Sequence, residues 1–108
     1  MSIALSIQPK SKGPEAAQTV PVATMSAFDL YWAPAAAALE LRWVPLFRTG
    51  VPVHSEDIVD IVQELTMLRQ QMKASDPEVA SLVLPRIERL ISALNSAGGD
   101  PDVDIYIG

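Results

Sequence analysis

Residues 55–73 read SEDIVDIVQELTMLRQQMK, and this stretch decides the fold. Its apolar side chains recur at helical spacing, which places them along one face of a helix; they are Ile58, Ile61, Val62, Leu65, Leu68 and Met72. Ser55 is a suitable N-cap residue, and the acidic Glu56 and Asp57 follow in the first turn, where the helix dipole favours negative charge. Because basic residues lie in the last turn, all local signals predict an amphipathic helix over residues 56–73.

A second apolar stripe follows a short connection at residues 74–76. It predicts a helix over residues 77–96 with Asp76 or Ser75 as its N-cap, and its members are Val79, Leu82, Val83, Ile87, Leu90, Ile91 and Leu94. Pro85 lies inside this stripe and lacks the N–H that a helix interior needs, so we expect a kink or a division of the helix there. The short connection predicts an antiparallel helical hairpin.

Period-two alternation of apolar with polar or small side chains predicts strands elsewhere. The segments that alternate are residues 2–8, 28–32, 39–44 and 103–107. A short helix over residues 34–41, which include a run of alanines, is the alternative to the third strand. The last segment predicts a strand that pairs inside a sheet and packs against the helical hairpin.

The predicted fold class is therefore α+β. An antiparallel sheet of about four strands, in the chain order β-β-β-α-α-β, is covered on one face by the helical hairpin. Residues 9–26 contain three prolines and Gly13 but no periodicity, so we expect a mobile loop or linker there. At 108 residues the chain fits a single domain, residues 1–108.

The charge balance argues against several classes of partner. The chain has 13 acidic and 8 basic residues, a net charge of −5 and no cysteine. Nucleic acids and anionic membranes need clustered lysine and arginine, so we expect no nucleic acid and no membrane as partner. Without cysteine a thiolate metal site is excluded, and we expect no metal and no cofactor. The sequence has no signal-peptide or membrane-spanning pattern, so we expect a cytoplasmic location.

Two motifs have both a chemical and a structural interpretation. Asp100, Asp102 and Asp104 are spaced at i, i+2 and i+4 along an extended chain, where they either hold a cation or form a solvated strand face. His54 is the single histidine, and its neighbour Ser55 is better explained as a helix cap than as a member of a catalytic triad. We favour the structural interpretation of both motifs.

Arginines occur in two further motifs. Arg48 precedes Thr49 and Gly50 in a turn that lacks the glycine-rich pattern of a phosphate-binding loop. Arg86 and Arg89 lie one turn apart on the second predicted helix. Such side chains more often cover apolar surface or pair with acids than bind phosphate.

A candidate partner-binding surface lies on the predicted sheet face that points away from the helices. Tyrosine is a frequent anchor in protein interfaces, and charged neighbours steer a partner toward it. The residues of this surface are Tyr31, Glu40, Arg42, Asp102, Asp104 and Tyr106.

These observations favour a small acidic protein-interaction module of the immunity-protein, inhibitor, adaptor or assembly-subunit type, with another protein, preferably a basic one, as its partner. One alternative is self-association as a homodimer through the open sheet. The other is a small enzyme that uses Asp102, Asp104 or Glu40 together with Arg42 or Arg48. Carboxylates perform acid–base catalysis only when burial separates their pKa values, and nothing in the sequence indicates such burial, so we predict no catalytic residues.

Overall fold

A four-stranded antiparallel sheet forms one layer of the protein in a computed structural model, which describes residues Met1–Gly108 apart from the side chain of Pro14. The strand order is β2-β1-β4-β3, so β1 and β4 are the two central strands. The bounds of the strands are β1 Ser2–Pro9, β2 Gln18–Thr24, β3 Val51–Val53 and β4 Val103–Ile107. The α+β fold class is confirmed, as are the predicted first and last strands.

Helices pack against one face of this sheet. Helix α1, residues 25–38, is a continuous helical stretch made of an α-helical turn, a π-helical turn and a final α-helix, with the bounds Met25–Ala27, Phe28–Trp32 and Ala33–Ala38. Helices α2 and α3 pack against each other and span Ile58–Lys73 and Pro77–Ala97. Short 3₁₀ helices lie at Pro14–Ala16, Val44–Arg48 and Ser55–Asp57.

The strand predicted over residues 28–32 is wrong, because this segment is helical. Phe28 and Trp32 lie four residues apart, and both are buried with their ring centroids 6.1 Å apart. Leu30, which the alternation placed beside them, is 65% exposed. The hydroxyl of Thr24 caps the helix by accepting a hydrogen bond from a backbone N–H three residues later. In so short a segment both periodicities fit, and burial of the i, i+4 aromatic pair selects the helix.

A π-helical turn accommodates Pro34 within α1. A proline in a helix lacks an N–H, and its ring clashes with the carbonyl four residues earlier, here that of Leu30. The N–H of Ala33 bonds instead to the carbonyl of Phe28, five residues back, which widens the helix just before the proline. The alternative of a short helix over residues 34–41 was therefore closer to the structure than the strand.

The strand predicted over residues 39–44 is also wrong, because the segment begins with the C-terminal cap of α1. Glu40 adopts a left-handed backbone conformation with a φ of 56°. Its N–H donates to the carbonyl of Ala37 at 3.1 Å, and the N–H of Leu41 donates to the carbonyl of Ala36 at 2.9 Å. This pair of hydrogen bonds defines a Schellman cap, and the chain then turns into a 3₁₀ helix.

Residues 9–26, predicted as a loop or linker, contain strand β2. It pairs with β1 in antiparallel register, with Leu5 opposite Val20, and Val22 is buried in the core. Pro21 interrupts the short alternation of apolar and polar residues, so the sequence pattern did not predict this strand. A proline is tolerated there because β2 is an edge strand, where one N–H needs no partner in the sheet. Strand β3 was likewise not predicted. The chain order is therefore β-β-α-β-α-α-β and not the predicted β-β-β-α-α-β.

Helix α3 continues through Pro85, so of the two outcomes predicted there, a kink or a division of the helix, the division is wrong. Val83 precedes the proline, Ile87 and Leu90 follow it, and all of them are buried in the core. Packing on both sides of the proline therefore holds the two halves in one helix, since tertiary burial outweighs the loss of one backbone hydrogen bond.

A cluster of buried apolar side chains fills the space between the sheet and the helices. The sheet supplies Ile3, Leu5, Ile7, Ile105 and Ile107, and the helical hairpin supplies Ile61, Leu65, Leu68, Ile87, Leu90 and Leu94. Strand residues of the opposite parity point away from the helices, so the second face of the sheet is open. Among the residues described, no helix has the length and apolar character needed to cross a bilayer.

Candidate functional site

The structure brings together three of the predicted site residues. Asp104 and Tyr106 lie on β4 and point to the open sheet face, and Asp102 lies just before that strand. The remaining residues belong to α1 and to the loop that follows it; they are the half-buried Tyr31 and the exposed Glu40 and Arg42. Their predicted position on the sheet is wrong, because the segments that carry them are not strands.

Tyr106 stands on the open sheet face, where two glycines make room for its ring. It lies opposite Ser6 of β1 and Pro52 of β3. A Cβ atom on Gly50 would be 1.8 Å from the phenolic oxygen, and one on Gly108 would be 2.7 Å from Cε1 of the ring. Gly50 also has a φ of 101°, a conformation that favours glycine. The ring is therefore packed in place although the residue is 46% exposed.

Local contacts hold the aspartates at the start of β4. The hydroxyl of Ser11 donates to the carboxylate of Asp102, and the N–H of Asp102 donates to Asp100 Oδ1 at 2.8 Å. Lys10 Nζ lies 4.0 Å from Asp104 Oδ1. Lys10 is thus near the carboxylate of Asp104 but forms no ion pair with Asp100 or Asp102, so this end of the open sheet face is acidic.

A cavity of about 490 Å³ lies beside Tyr106, where the connections before α2 and before β4 meet. His54, Asp100 and Asp104 are among its lining residues. In the part of the chain that the structure describes, no three histidine, aspartate or glutamate side chains are close enough together to hold a metal ion. The cavity places His54 near the acidic Asp100 and Asp104, beside Tyr106.

His54 begins the turn that leads into α2. Its N–H donates to Asp57 Oδ2 at 3.1 Å, and the N–H of Asp57 donates to the His54 carbonyl at 2.9 Å. Because a 3₁₀ turn precedes the helix, α2 begins at Ile58, later than predicted. The interpretation of Ser55 as the N-cap residue is wrong, since the side chain of Asp57 reaches back to the start of the turn.

Glu64 on α2 binds the backbone of the loop after α1, a contact that no sequence pattern indicated. Its carboxylate accepts hydrogen bonds from the N–H groups of Arg42 (3.1 Å), Trp43 (2.9 Å) and Val44 (3.1 Å). These N–H groups lie at the start of a 3₁₀ helix, where backbone N–H groups have no hydrogen-bond acceptor within the helix. Glu64 therefore fixes the course of the loop that carries Arg42.

Arg48 and Asp29 form an ion pair that joins α1 to the following 3₁₀ helix. Arg48 Nε lies 2.8 Å from Asp29 Oδ1, and Nη2 lies 3.2 Å from Oδ2. These hydrogen bonds hold the pKa of Asp29 below its ordinary value, and the positive charge of the guanidinium adds to the effect. The Arg48 side chain is thus engaged within the protein by a bidentate contact.

Comparisons with known proteins do not assign the chain to a family. No family model, curated protein or solved structure matches it.

Proposed function

We propose that this protein is a small protein-binding module that contacts its partner through the open face of its sheet. The observation that carries the proposal is the exposed Tyr106 ring packed over Gly50 and Gly108. Tyrosines concentrate binding energy in interfaces, and an anchor that is already ordered loses little conformational entropy on binding. Ser6 and Pro52 flank the ring with small uncharged side chains, which allow a partner to approach closely.

A basic partner protein fits the acidic end of this face. Asp102 and Asp104 precede Tyr106 along the chain, and Lys10 is near only one of their carboxylates. Residues 55–108 hold ten acidic side chains against four basic ones, so the charge of this half attracts a basic surface and accelerates encounter. The proposal includes a cytoplasmic location and a binding role rather than a catalytic one.

Affinity capture from the native host, with the purified chain as bait, tests the proposal. The bait variants are Tyr106→Ser and Asp104→Lys. The control is Glu88→Lys, which makes the same charge change as Asp104→Lys at an exposed position of α3. We expect the original chain and the control to retain a basic protein, and Tyr106→Ser to weaken its binding about thirtyfold, since a tyrosine hot spot contributes about 2 kcal/mol.

Thermal melting of each variant establishes that it is folded, so that lost binding reports on the surface. Equal retention of the partner by all of these chains would contradict the proposal. An acidic partner, or one whose binding is weakened by Glu88→Lys, would contradict the assignment of the contact to the sheet face.

Light scattering and the geometry of the arginines bear on the alternative functions. A doubled mass that Tyr106→Ser reduces to that of a single chain would assign the open face to a homodimer. The enzyme considered from the sequence would need Asp102, Asp104 or Glu40 in one pocket with Arg42 or Arg48. Arg48 is instead paired with Asp29, and Glu40 lies in the cap of α1.

A further inference from the structure

Two cavities lie one after the other along α3 where it passes the edge of the sheet, and together they form what we call the groove. One part is a cavity of about 500 Å³ whose lining includes Val22 of β2, Tyr31 of α1 and Leu82 of α3. A second cavity, of about 420 Å³, lies at the start of β2 and is lined by Gln18 of β2, Ala93 of α3 and Ile7 of β1, among others. Leu82 is 62% exposed, so the groove presents apolar surface to solvent at a place separate from the open sheet face.

The backbone of β2 offers hydrogen-bonding groups to this groove. Ala4 of β1 exchanges both of its backbone hydrogen bonds with Gly108, on the β4 side, at 3.4 and 3.0 Å. Pro21 lies opposite Ala4, and Thr19 lies opposite Ser6. Because backbone groups of an antiparallel strand alternate in direction, those of Pro21 and Thr19 point away from β1. The edge therefore presents the N–H and carbonyl of Thr19 and the carbonyl of Pro21, which has no N–H.

Two arginines give the groove a basic wall. Arg86 lines the first cavity and Arg89 lines the second, and they lie one turn apart on the face of α3 that also carries Leu82. Neither arginine forms an ion pair with a residue that the structure describes. The first cavity has no acidic residue in its described lining, and Asp100 belongs to the second. In a chain of net charge −5, this local basic surface favours a ligand that carries carboxylates.

We propose that this groove binds an extended peptide segment of a partner protein whose every second side chain faces α3, with apolar side chains near Leu82 followed by acidic ones near Arg86 and Arg89. A strand of the length of β2, 7 residues, spans about 23 Å, which suits an extended peptide better than a compact ligand. The peptide backbone bonds to Thr19 and Pro21, its apolar side chains pack against Tyr31 and Leu82, and its carboxylates meet the arginines. Strand addition at a sheet edge with side-chain pockets is an established mode of peptide recognition.

A partner protein is a better source of this peptide than a second copy of the chain. The strand of the chain that combines aspartate with apolar residues is Val103–Ile107, which contains Asp104. It is hydrogen-bonded between β1 and β3, so offering it to another copy would require the central part of the sheet to separate.

Nuclear magnetic resonance titration of the full chain tests the proposal. The probe is an acetylated and amidated peptide of 7 residues, the length of β2, with valine at positions 1 and 3, aspartate at positions 5 and 7 and threonine at the others, so that both kinds of side chain lie on one face of the extended peptide. We expect saturable shifts at Thr19 and Leu82 while Tyr106 on the open sheet face is unaffected. A matching peptide with lysine in place of aspartate is expected to bind at least about tenfold more weakly, because it meets the arginines with like charge.

A matched pair of double variants checks the role of the arginines. The double variant Arg86→Glu, Arg89→Glu is expected to weaken the binding of the aspartate peptide at least about tenfold. The control Lys12→Glu, Lys73→Glu has the same total charge change and is expected to keep most of the affinity. Absence of saturable shifts in the groove up to about 5 mM peptide would overturn the proposal. Equal binding of the lysine peptide would overturn it as well. A doubled mass in light scattering that the double variant Arg86→Glu, Arg89→Glu abolishes would also overturn it, since a second copy of the chain would then occupy the groove.

Discussion

Glu64→Ala is expected to destabilise the protein, because it removes the contact that fixes the loop after α1. The carboxylate of Glu64 accepts hydrogen bonds from three successive N–H groups at 2.9–3.1 Å. A hydrogen bond to a charged group contributes about 1.5–3 kcal/mol. The three bonds share one carboxylate, and water reaches the N–H of Arg42, so their contributions do not add. We therefore expect the free energy of unfolding to fall by about 3 kcal/mol.

Urea unfolding followed by tryptophan fluorescence measures this loss, since Trp43 lies in the loop that Glu64 holds. Against a total stability of about 5–15 kcal/mol for a domain, the expected loss is large. With an m value of about 1.5 kcal/mol per molar urea, the unfolding midpoint falls by about 2 M. The melting temperature is expected to fall by about 12 °C.

Two controls distinguish the hydrogen bonds from other effects of the substitution. Gln63→Ala changes the preceding exposed residue of α2 and is expected to alter the unfolding free energy by less than about 0.5 kcal/mol. Glu64→Gln keeps an acceptor oxygen but removes the charge, and we expect a loss of about 1–2 kcal/mol. If Glu64→Ala changes stability no more than Gln63→Ala does, the argument that this carboxylate anchors the loop is refuted.

Three further predictions use the same methods. Glu40→Gly is expected to stabilise the protein by about 0.5–1 kcal/mol in urea unfolding, because Glu40 holds a left-handed φ of 56° that glycine adopts without strain; a loss of stability would contradict this. The pKa of Asp29, measured by nuclear magnetic resonance titration, is expected to rise in Arg48→Gln. Folding lowers this pKa from its ordinary value of 3.8. The ion pair therefore stabilises the fold above that pH and loses its effect as the pH falls through the lowered pKa. The difference in unfolding free energy between the original chain and Asp29→Asn is expected to shrink in acid. Deletion of residues 103–108 removes a central strand and two buried isoleucines, and we expect it to abolish cooperative thermal unfolding in circular dichroism.

Elements with a long and consistent apolar pattern were predicted correctly. In α2 and α3 the apolar stripe continues over several turns, and in β1 and β4 the alternation ends at clear boundaries. The segment at residues 28–32 failed because the spacing of Phe28 and Trp32 fits both a strand and a helix. β2 and β3 were missed because Pro21 and Pro52 argue against strands, although both occupy edges of the sheet where proline is tolerated.

Part of the candidate site was predicted, because two of its residues lie on a strand whose alternation is clear. Asp104 and Tyr106 share one parity of a correctly predicted strand, so their common face followed from local alternation. Tyr31 was assigned to the sheet through a wrong periodicity. Arg86 and Arg89 were placed on one helix face, but their position beside an edge strand depends on how α3 packs against β2.

The sequence by itself determined the α+β class, the amphipathic hairpin of α2 and α3, the terminal strands and the acidity of the second half of the chain. These properties follow from the spacing of apolar and charged residues over a few turns or strand repeats. Only the tertiary structure decided that Gly50 packs against Tyr106, and that Glu64 fixes the loop after α1. Those contacts join segments that are distant along the chain, and burial and backbone hydrogen bonding there select among conformations that local periodicity leaves equivalent.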